Sequence, residues 1–400
     1  MPGPLSGIRV VDVSAVVSGP LATMMLADQG ADVVRIEPHG LGDTLRLPNF
    51  ERGGLTAFFA NTNRGKRSIV LDLTKPAGLE IIYQMVRDAD VFVQNWRPGA
   101  AGRLRLGEPD LRGLNPDLIY CSISGYGPTG PYAQRRVYDP IIQGLSGHTG
   151  VQINPEAPIR DLVRNIVSDK SSAYTAAQAI TAALFARERG AGGQHIEVPM
   201  IDASLAFFWC DGMIAHTFTG DDKPGGLALY EVYRLWETAD GHLMYFAATD
   251  SEFEGLFRAV GHPEWNDDPR FGTRAARGEP ENTAELGALL MAAIQSMTTK
   301  ECIEHMVEED VPVGPVLTLD ELFDDEQIRH NDAILEFDHP TAGRFRQARP
   351  AARFDKTPQD PHKRMPPLLG EHTEEVLHEL GFDDAAIDEL RADDVIPAGD

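Results

Sequence analysis

The chain has 400 residues, 42% of them hydrophobic and 24% charged, enough for a large globular core and a prior of two or three domains. Its 36 Lys and Arg are outnumbered by 61 Asp and Glu, for a formal net charge of −25. That balance argues against a nucleic-acid partner, which needs basic patches to neutralise phosphates, and against an anionic membrane surface.

The charge is uneven. Residues 1–110 carry twelve basic and twelve acidic side chains, whereas residues 360–400 carry three bases and twelve acids. An anionic small ligand therefore meets least repulsion toward the N-terminal part, and the acidic tail reads as solvated surface. Cys121, Cys210 and Cys302 lie far apart without CxxC spacing, so neither a disulfide framework nor a cysteine metal site is expected. Met1-Pro2-Gly3-Pro4 is not followed by a basic and then an apolar region, so a signal peptide is not expected, and no apolar run is long enough to span a bilayer. A cytoplasmic protein is the expectation.

In chain order, strands are predicted at residues 8–13, 32–36, 68–73, 90–93 and 118–123, with helices at 20–29 and 76–87 between them. Pro20 suits a first helical turn, and Gly30 stops that helix. An Ala-rich helix over 171–187 precedes a further strand at 195–198. Short β-branched strands separated by helices indicate βαβ units and a parallel, Rossmann-like sheet, in which ligands bind beyond the carboxyl ends of the strands. Composition shifts near Thr217, and Gly220-Asp221-Asp222-Lys223-Pro224-Gly225-Gly226 reads as a linker or loop. An apolar strand at 243–247 and helices near 251–260, 282–297 and 299–308 suggest a smaller α+β domain. A Pro-rich stretch over 339–367 reads as extended connection, followed by a last helix over 373–380 and a short polar end. The expected division is a large domain over 1–215, a small one over 216–325 and a C-terminal return over 326–400.

Several chemistries are disfavoured by spacing. The turn after the first strand, Ser14-Ala15-Val16-Val17-Ser18-Gly19-Pro20, has one glycine instead of the three of a dinucleotide fingerprint, and no GxxxxGK[ST] loop is present. The histidines form no HExxH pair, so no metal site is expected, and no GxSxG elbow is present. Cationic groups beside strand ends are candidates for holding an anion. Asn63-Arg64-Gly65-Lys66-Arg67 is one, and Asn95-Trp96-Arg97-Pro98-Gly99 with Arg103 and Arg105 is another. Trp96 offers a stacking face for a purine. Each group also reads as solvated loop charge. The turn-rich Gly125-Tyr126-Gly127-Pro128-Thr129-Gly130-Pro131-Tyr132 is either a site wall or a plain turn, and Tyr138-Asp139 could line the same cavity.

Asp169 is the only acid in Asn165-Ile166-Val167-Ser168-Asp169-Lys170, at the mouth of the Ala-rich helix. A carboxylate there can accept hydrogen bonds from first-turn N–H groups, and the helix end favours its negative charge. It reads either as an ionised nucleophile or as part of an N-cap, with Ser168 or Asp169 closing the helix start.

The order of motifs resembles the class III CoA-transferase family, the superfamily of formyl-CoA transferase, carnitine CoA-transferase and α-methylacyl-CoA racemase. The resemblance rests on Gly7-Ile8-Arg9-Val10-Val11-Asp12, Gly19-Pro20, the run from Gly30 to Glu37, Gly42-Asp43 and Arg46. It continues through Lys66-Arg67-Ser68-Ile69, Asn95-Trp96-Arg97-Pro98-Gly99, Asn115-Pro116, Gly193-Gln194, Thr238-Ala239-Asp240-Gly241 and Gly370-Glu371-His372-Thr373. It implies Asp169 as a nucleophile that forms a mixed anhydride and then an aspartyl-CoA thioester with no metal, cleaving a CoA thioester substrate with no tightly bound cofactor. It places Val16 and Val17 at the thiol end of CoA and matches Asn95, Trp96 and Arg103 to nucleotide or pantetheine contacts. Arg97 and Lys66 are further candidates by charge and location, and Tyr138 by position. The partners implied are an acyl-CoA donor, a carboxylic acid acceptor and a second copy of the chain in an interlocked homodimer.

Two departures bear on the activity. Val17 stands where formyl-CoA transferase has Gln, which weighs against the oxalate/formate pair. Tyr138 stands where the racemase branch has His, and a phenol near pKa ~10 is a poor base at neutral pH, which favours transfer over epimerisation. His148 and His242 could substitute as that base, but neither matches the family position. An α-methylacyl-CoA epimerase and a non-catalytic acyl-CoA binding protein are the alternatives.

Overall fold

The structure, a computed structural model, describes residues 3–152, 161–222, 225–226 and 228–398. Lys223 and Pro224 of the expected linker lie outside the described residues. The chain forms two compact units, Met1–Tyr230 with Asp332–Asp400, and Glu231–Asn331.

The first unit opens with β1 (Arg9–Asp12), α1 (Ser18–Asp28) and β2 (Asp32–Glu37). A two-stranded ribbon of β3 (Glu51–Arg52) and β4 (Leu55–Thr56) leads into α2 (Ala57–Asn63). Next come β5 (Arg67–Val70), α3 (Pro76–Arg87), β6 (Val91–Gln94), α4 (Ala100–Arg103), α5 (Glu108–Leu114) and β7 (Ile119–Ser124). The segment then folds as α6 (Asp139–Ser146), α7 (His148–Val151), α8 (Val167–Ala186), β8 (His195–Pro199) and α9 (Met200–Gly212).

The six longer strands form one parallel sheet in the order β5-β2-β1-β6-β7-β8. Alternate residues of each strand enter opposite cores, as the two-residue period requires. Val11, Val34, Ile36 and Phe92 pack with α3 and the C-terminal residues Val376, Leu377 and Ile387. Val10, Val33, Val91, Val93 and Ile119 pack with Leu26 of α1 and the small residues Ala173, Ala176 and Ala183 of α8. The alanines allow this long helix to lie close against the sheet. From β1 the chain builds β2 and β5 on one side, then crosses to β6, β7 and β8 on the other. The crevice above β1 and β6 is thus the topological switch point, where ligands of such sheets bind.

The C-terminal stretch departs from expectation in two places. The extended connection over 339–367 begins inside an antiparallel hairpin, Ile334–His339 with Gly343–Ala348. The short polar end contains a further helix, Asp384–Ala392, capped by Asp383. The Gly370-Glu371-His372-Thr373 motif docks on β5, since the Gly370 N–H donates to Ser68 Oγ (3.1 Å) and the His372 N–H to the Ser68 carbonyl (2.9 Å). In the second unit, the strands Trp236–Glu237, His242–Tyr245 and Val313–Pro315 form a small antiparallel sheet. Its core gathers Trp236, Leu243, Phe257, Trp265 and Ile294.

Candidate active site

A cavity of about 380 Å³ opens at the switch point, within the size range of small-molecule sites. Its walls come from the β1–α1 turn (Ala15, Val16, Ser18), the β6 end (Asn95, Trp96, Arg97), the β7 end (Ser124, Gly125), the loop before α6 (Arg135, Arg136, Tyr138) and Asp169.

The β1–α1 turn is built with care. Asn95 holds Ala15 by both backbone groups, accepting from its N–H at 2.8 Å and donating to its carbonyl at 2.6 Å. Val16 adopts a left-handed φ of 65°, and its N–H donates to Asp43 Oδ2 at 3.0 Å. At Gly19 a Cβ would lie 2.3 Å from the Ser14 Cβ, so only glycine lets the helix start this close to the turn. Beneath it, Asp12 accepts from Thr23 Oγ1 (2.7 Å) and pairs with Lys66 (3.0 Å) and Arg35 (3.3 Å). Burial alone would raise the Asp12 carboxyl, but Lys66, Arg35 and the Ser14 and Thr23 hydroxyls outweigh it and hold it down at about 2.

Asp169 sits in the first turn of α8, half-buried at the cavity wall. Neither Ser168 nor Asp169 caps that helix. The cap comes from Asp139 of α6, whose Oδ2 accepts from the N–H groups of Ser168 (2.8 Å) and Asp169 (2.9 Å). Asp139 is itself held by Gln143, which also donates to the carbonyls of Val163 and Asn165 (both 3.2 Å) and so fixes the approach to α8. Behind the turn, Ser168 Oγ meets Ser204 Oγ at 2.9 Å, and Ser204 meets His148 Nε2 at 3.1 Å. With its N–H groups taken by Asp139, the start of α8 offers the Asp169 carboxylate no hydrogen bond among the described residues. The expectation of a stably ionised Asp169 is therefore corrected: burial first, and the Asp139 charge second, push its carboxyl up to about 7. At neutral pH both protonation states are populated.

The other expected site residues divide. Val16, Asn95, Trp96, Arg97 and Tyr138 line the cavity with Asp169. Val17 does not; it is 2% exposed, turned into the interior where α1 begins. Lys66 is also absent from the walls, because its ammonium is fully buried on Asp12, the Pro20 carbonyl (2.8 Å) and Asn63 Oδ1 (2.8 Å). The rest of that basic run is likewise structural, with Arg64 paired to Asp28 (2.7 Å) and Arg67 to Glu379 (2.7 Å). Arg103 lies on α4, outside the lining. Asp139 does not line the cavity and acts as the cap described above. His148 faces Ser204 and also lies off the wall.

Arg135 and Arg136 were missed by the sequence reading. They follow the turn-rich loop after β7, at the same kind of strand end that singled out Arg97, and their adjacency was the available signal. The Arg135 guanidinium stacks over the Tyr132 ring, 3.8 Å from its centroid. Among the described residues no carboxylate pairs with Arg97, Arg135 or Arg136. Three guanidiniums without a carboxylate partner give this cavity a local positive charge in a protein of net charge −25, chemistry suited to an anion.

Fold and cavity together define an α/β protein with a cleft at the sheet's switch point that is lined by arginines and a half-buried carboxyl. The profile of CoA-transferase family III matches residues 5–373. The chain belongs to that family and is a class III CoA-transferase. It is 34% identical over 403 residues to succinyl-CoA:glutarate CoA-transferase from Mus musculus, covering 98% of this chain and 90% of the relative. It is 30% identical over 419 residues to formyl-CoA:oxalate CoA-transferase from Bradyrhizobium diazoefficiens, covering 96% of each. A crystal structure of a CAIB/BAIF family protein from Brucella suis is similar with a TM-score of 0.81 at 30% identity, covering 95% of this chain and 100% of that one. No helix among the described residues is long and apolar enough to cross a membrane.

Proposed function

We propose that this enzyme moves CoA between two carboxylic acids through covalent intermediates on Asp169. The observation that carries the reading is the Asp169 carboxyl at the wall of a cavity that also presents Arg97, Arg135 and Arg136. In its ionised form Asp169 attacks the donor thioester carbonyl; the C–S bond breaks, leaving a mixed anhydride and CoA thiolate. The thiolate attacks the aspartyl carbonyl and releases the donor acid, giving an aspartyl-CoA thioester. The acceptor carboxylate attacks that thioester, and the thiolate then takes the new acyl group, restoring Asp169. Arg97, Arg135 and Arg136 have the charge to hold the phosphates of CoA, with Trp96 beside them as an apolar face. Val16 and Asn95 shape the wall next to the β1–α1 turn.

The resemblance to succinyl-CoA:glutarate CoA-transferases supports dicarboxylic acids as the exchange partners. The interlocked homodimer belongs to the same reading. Large exposed side chains on the helices, Tyr174 and Phe185 of α8 with Phe207 and Trp209 of α9, are surfaces a second copy would cover. The test is isotope exchange. Asp169→Ala abolishes transfer of labelled CoA from succinyl-CoA to glutarate while still binding CoA; undiminished exchange in that variant refutes the reading.

A further inference from the structure

We propose that Asp43 is a positioning residue for CoA transfer, acting by holding Val16 in its left-handed conformation at the cavity wall. The inference rests on the functional reading above. Val16 is β-branched, and a φ of 65° is among the least favourable conformations for such a side chain. A strained residue of this kind persists only where its surroundings over-determine it. Here two restraints flank the strained bond pair. Asn95 grips Ala15 by its N–H and carbonyl, and Asp43 accepts the Val16 N–H at 3.0 Å.

Asp43 is itself immobilised. It is 3% exposed, pairs with the buried Arg35 guanidinium, accepts the Leu45 N–H at 2.8 Å, and donates its own N–H to Glu37 at 3.1 Å. Gly42 permits this close approach, since a Cβ there would lie 2.7 Å from Glu37 Oε2. The consequence is directional. With Val16 left-handed, Val16 lines the cavity and Val17 turns inward to start α1. Relaxation of Val16 to an extended φ would redirect both residues and reshape the wall that faces Asp169. Asp43 touches no ligand-lining surface itself, so its influence passes through one backbone N–H.

A double-mutant cycle with Val16→Gly separates this role from general stability, because glycine adopts a positive φ without help. In the native background Asp43→Ala lowers kcat/KM for CoA transfer about tenfold and weakens acyl-CoA binding. In the Val16→Gly background the same change lowers both less than twofold. The melting temperature falls alike in both backgrounds, because Arg35 loses a partner in each. If Asp43→Ala does not fold, Asp43→Asn is read through the same cycle, with a smaller loss expected in the native background only. Equal losses of kcat/KM and affinity in the two backgrounds overturn the proposal and leave the functional reading standing. Absence of CoA transfer by the unmodified enzyme, with the affinity cycle intact, overturns only the functional reading.

Discussion

Replacing Asp139 by Asn tests how the nucleophile is tuned. Asp139 Oδ2 lies 2.9 Å from the Asp169 nitrogen, which puts the two carboxylates roughly 6 Å apart. At that separation the repulsion is about 3 kcal/mol for an effective dielectric of 20, and partial exposure of Asp169 brings it nearer 1–2 kcal/mol. Each pH unit corresponds to about 1.4 kcal/mol, so the neutral variant should titrate Asp169 about one pH unit lower. The amide keeps an oxygen for the N–H groups of Ser168 and Asp169, so the cap survives; its NH2 then faces the Gln143 Nε2 donor, so that bond is lost at a cost of about 1–3 kcal/mol. The assay is kcat/KM for CoA exchange from pH 5 to 9, which reports the free enzyme. For the native enzyme the acidic limb should rise with a midpoint near 7, following the Asp169 carboxyl. In Asp139→Asn that midpoint should move toward acid, with activity at pH 6 raised relative to pH 8. An unmoved or more alkaline midpoint would refute the electrostatic coupling.

The same carboxyl links pH to stability. Its folded pKa of about 7 lies above the ordinary 3.8, so the folded state binds more protons between those values and stability falls as pH rises through that window. Asp169→Asn should therefore melt higher than the native protein above pH 8, by about 2 kcal/mol after discounting for partial exposure, and level with it near pH 4. A gain at pH 4 as large as that at pH 9 would contradict the assignment. Among the arginines, Arg97→Ala should raise the KM for acyl-CoA about tenfold, an effect that shrinks with added salt, while Arg103→Ala should change it less than twofold. Steady-state kinetics at two ionic strengths decide between them.

The parallel sheet was legible because β-branched runs alternate with helical segments, and Pro76 at a first turn marked its helix to the residue. The cleft was legible too, since Asn95, Trp96 and Arg97 follow a strand at the switch point. What sequence could not show was which charges are used up inside. Lys66 and Arg97 look alike as residue types, yet one is buried on Asp12 and the other faces the cavity. Ion pairing between residues 54 positions apart leaves no local signal. The protonation of Asp169 was misjudged for the same reason: its cap is supplied by Asp139, thirty residues away in sequence, so the helix-end argument applied to the wrong carboxylate. Val17 shows a third limit, because a single left-handed residue before it decides which of two adjacent valines lines the cavity.

The proposed reaction passes through a covalent bond to the Asp169 carboxyl. Intact-mass measurement of the enzyme mixed with succinyl-CoA, followed by hydroxylamine and peptide mapping, addresses it directly. A CoA-sized adduct is expected, which hydroxylamine converts to a hydroxamate on the peptide carrying Asp169. Robust CoA transfer with no adduct, or with the label on another residue, would contradict it.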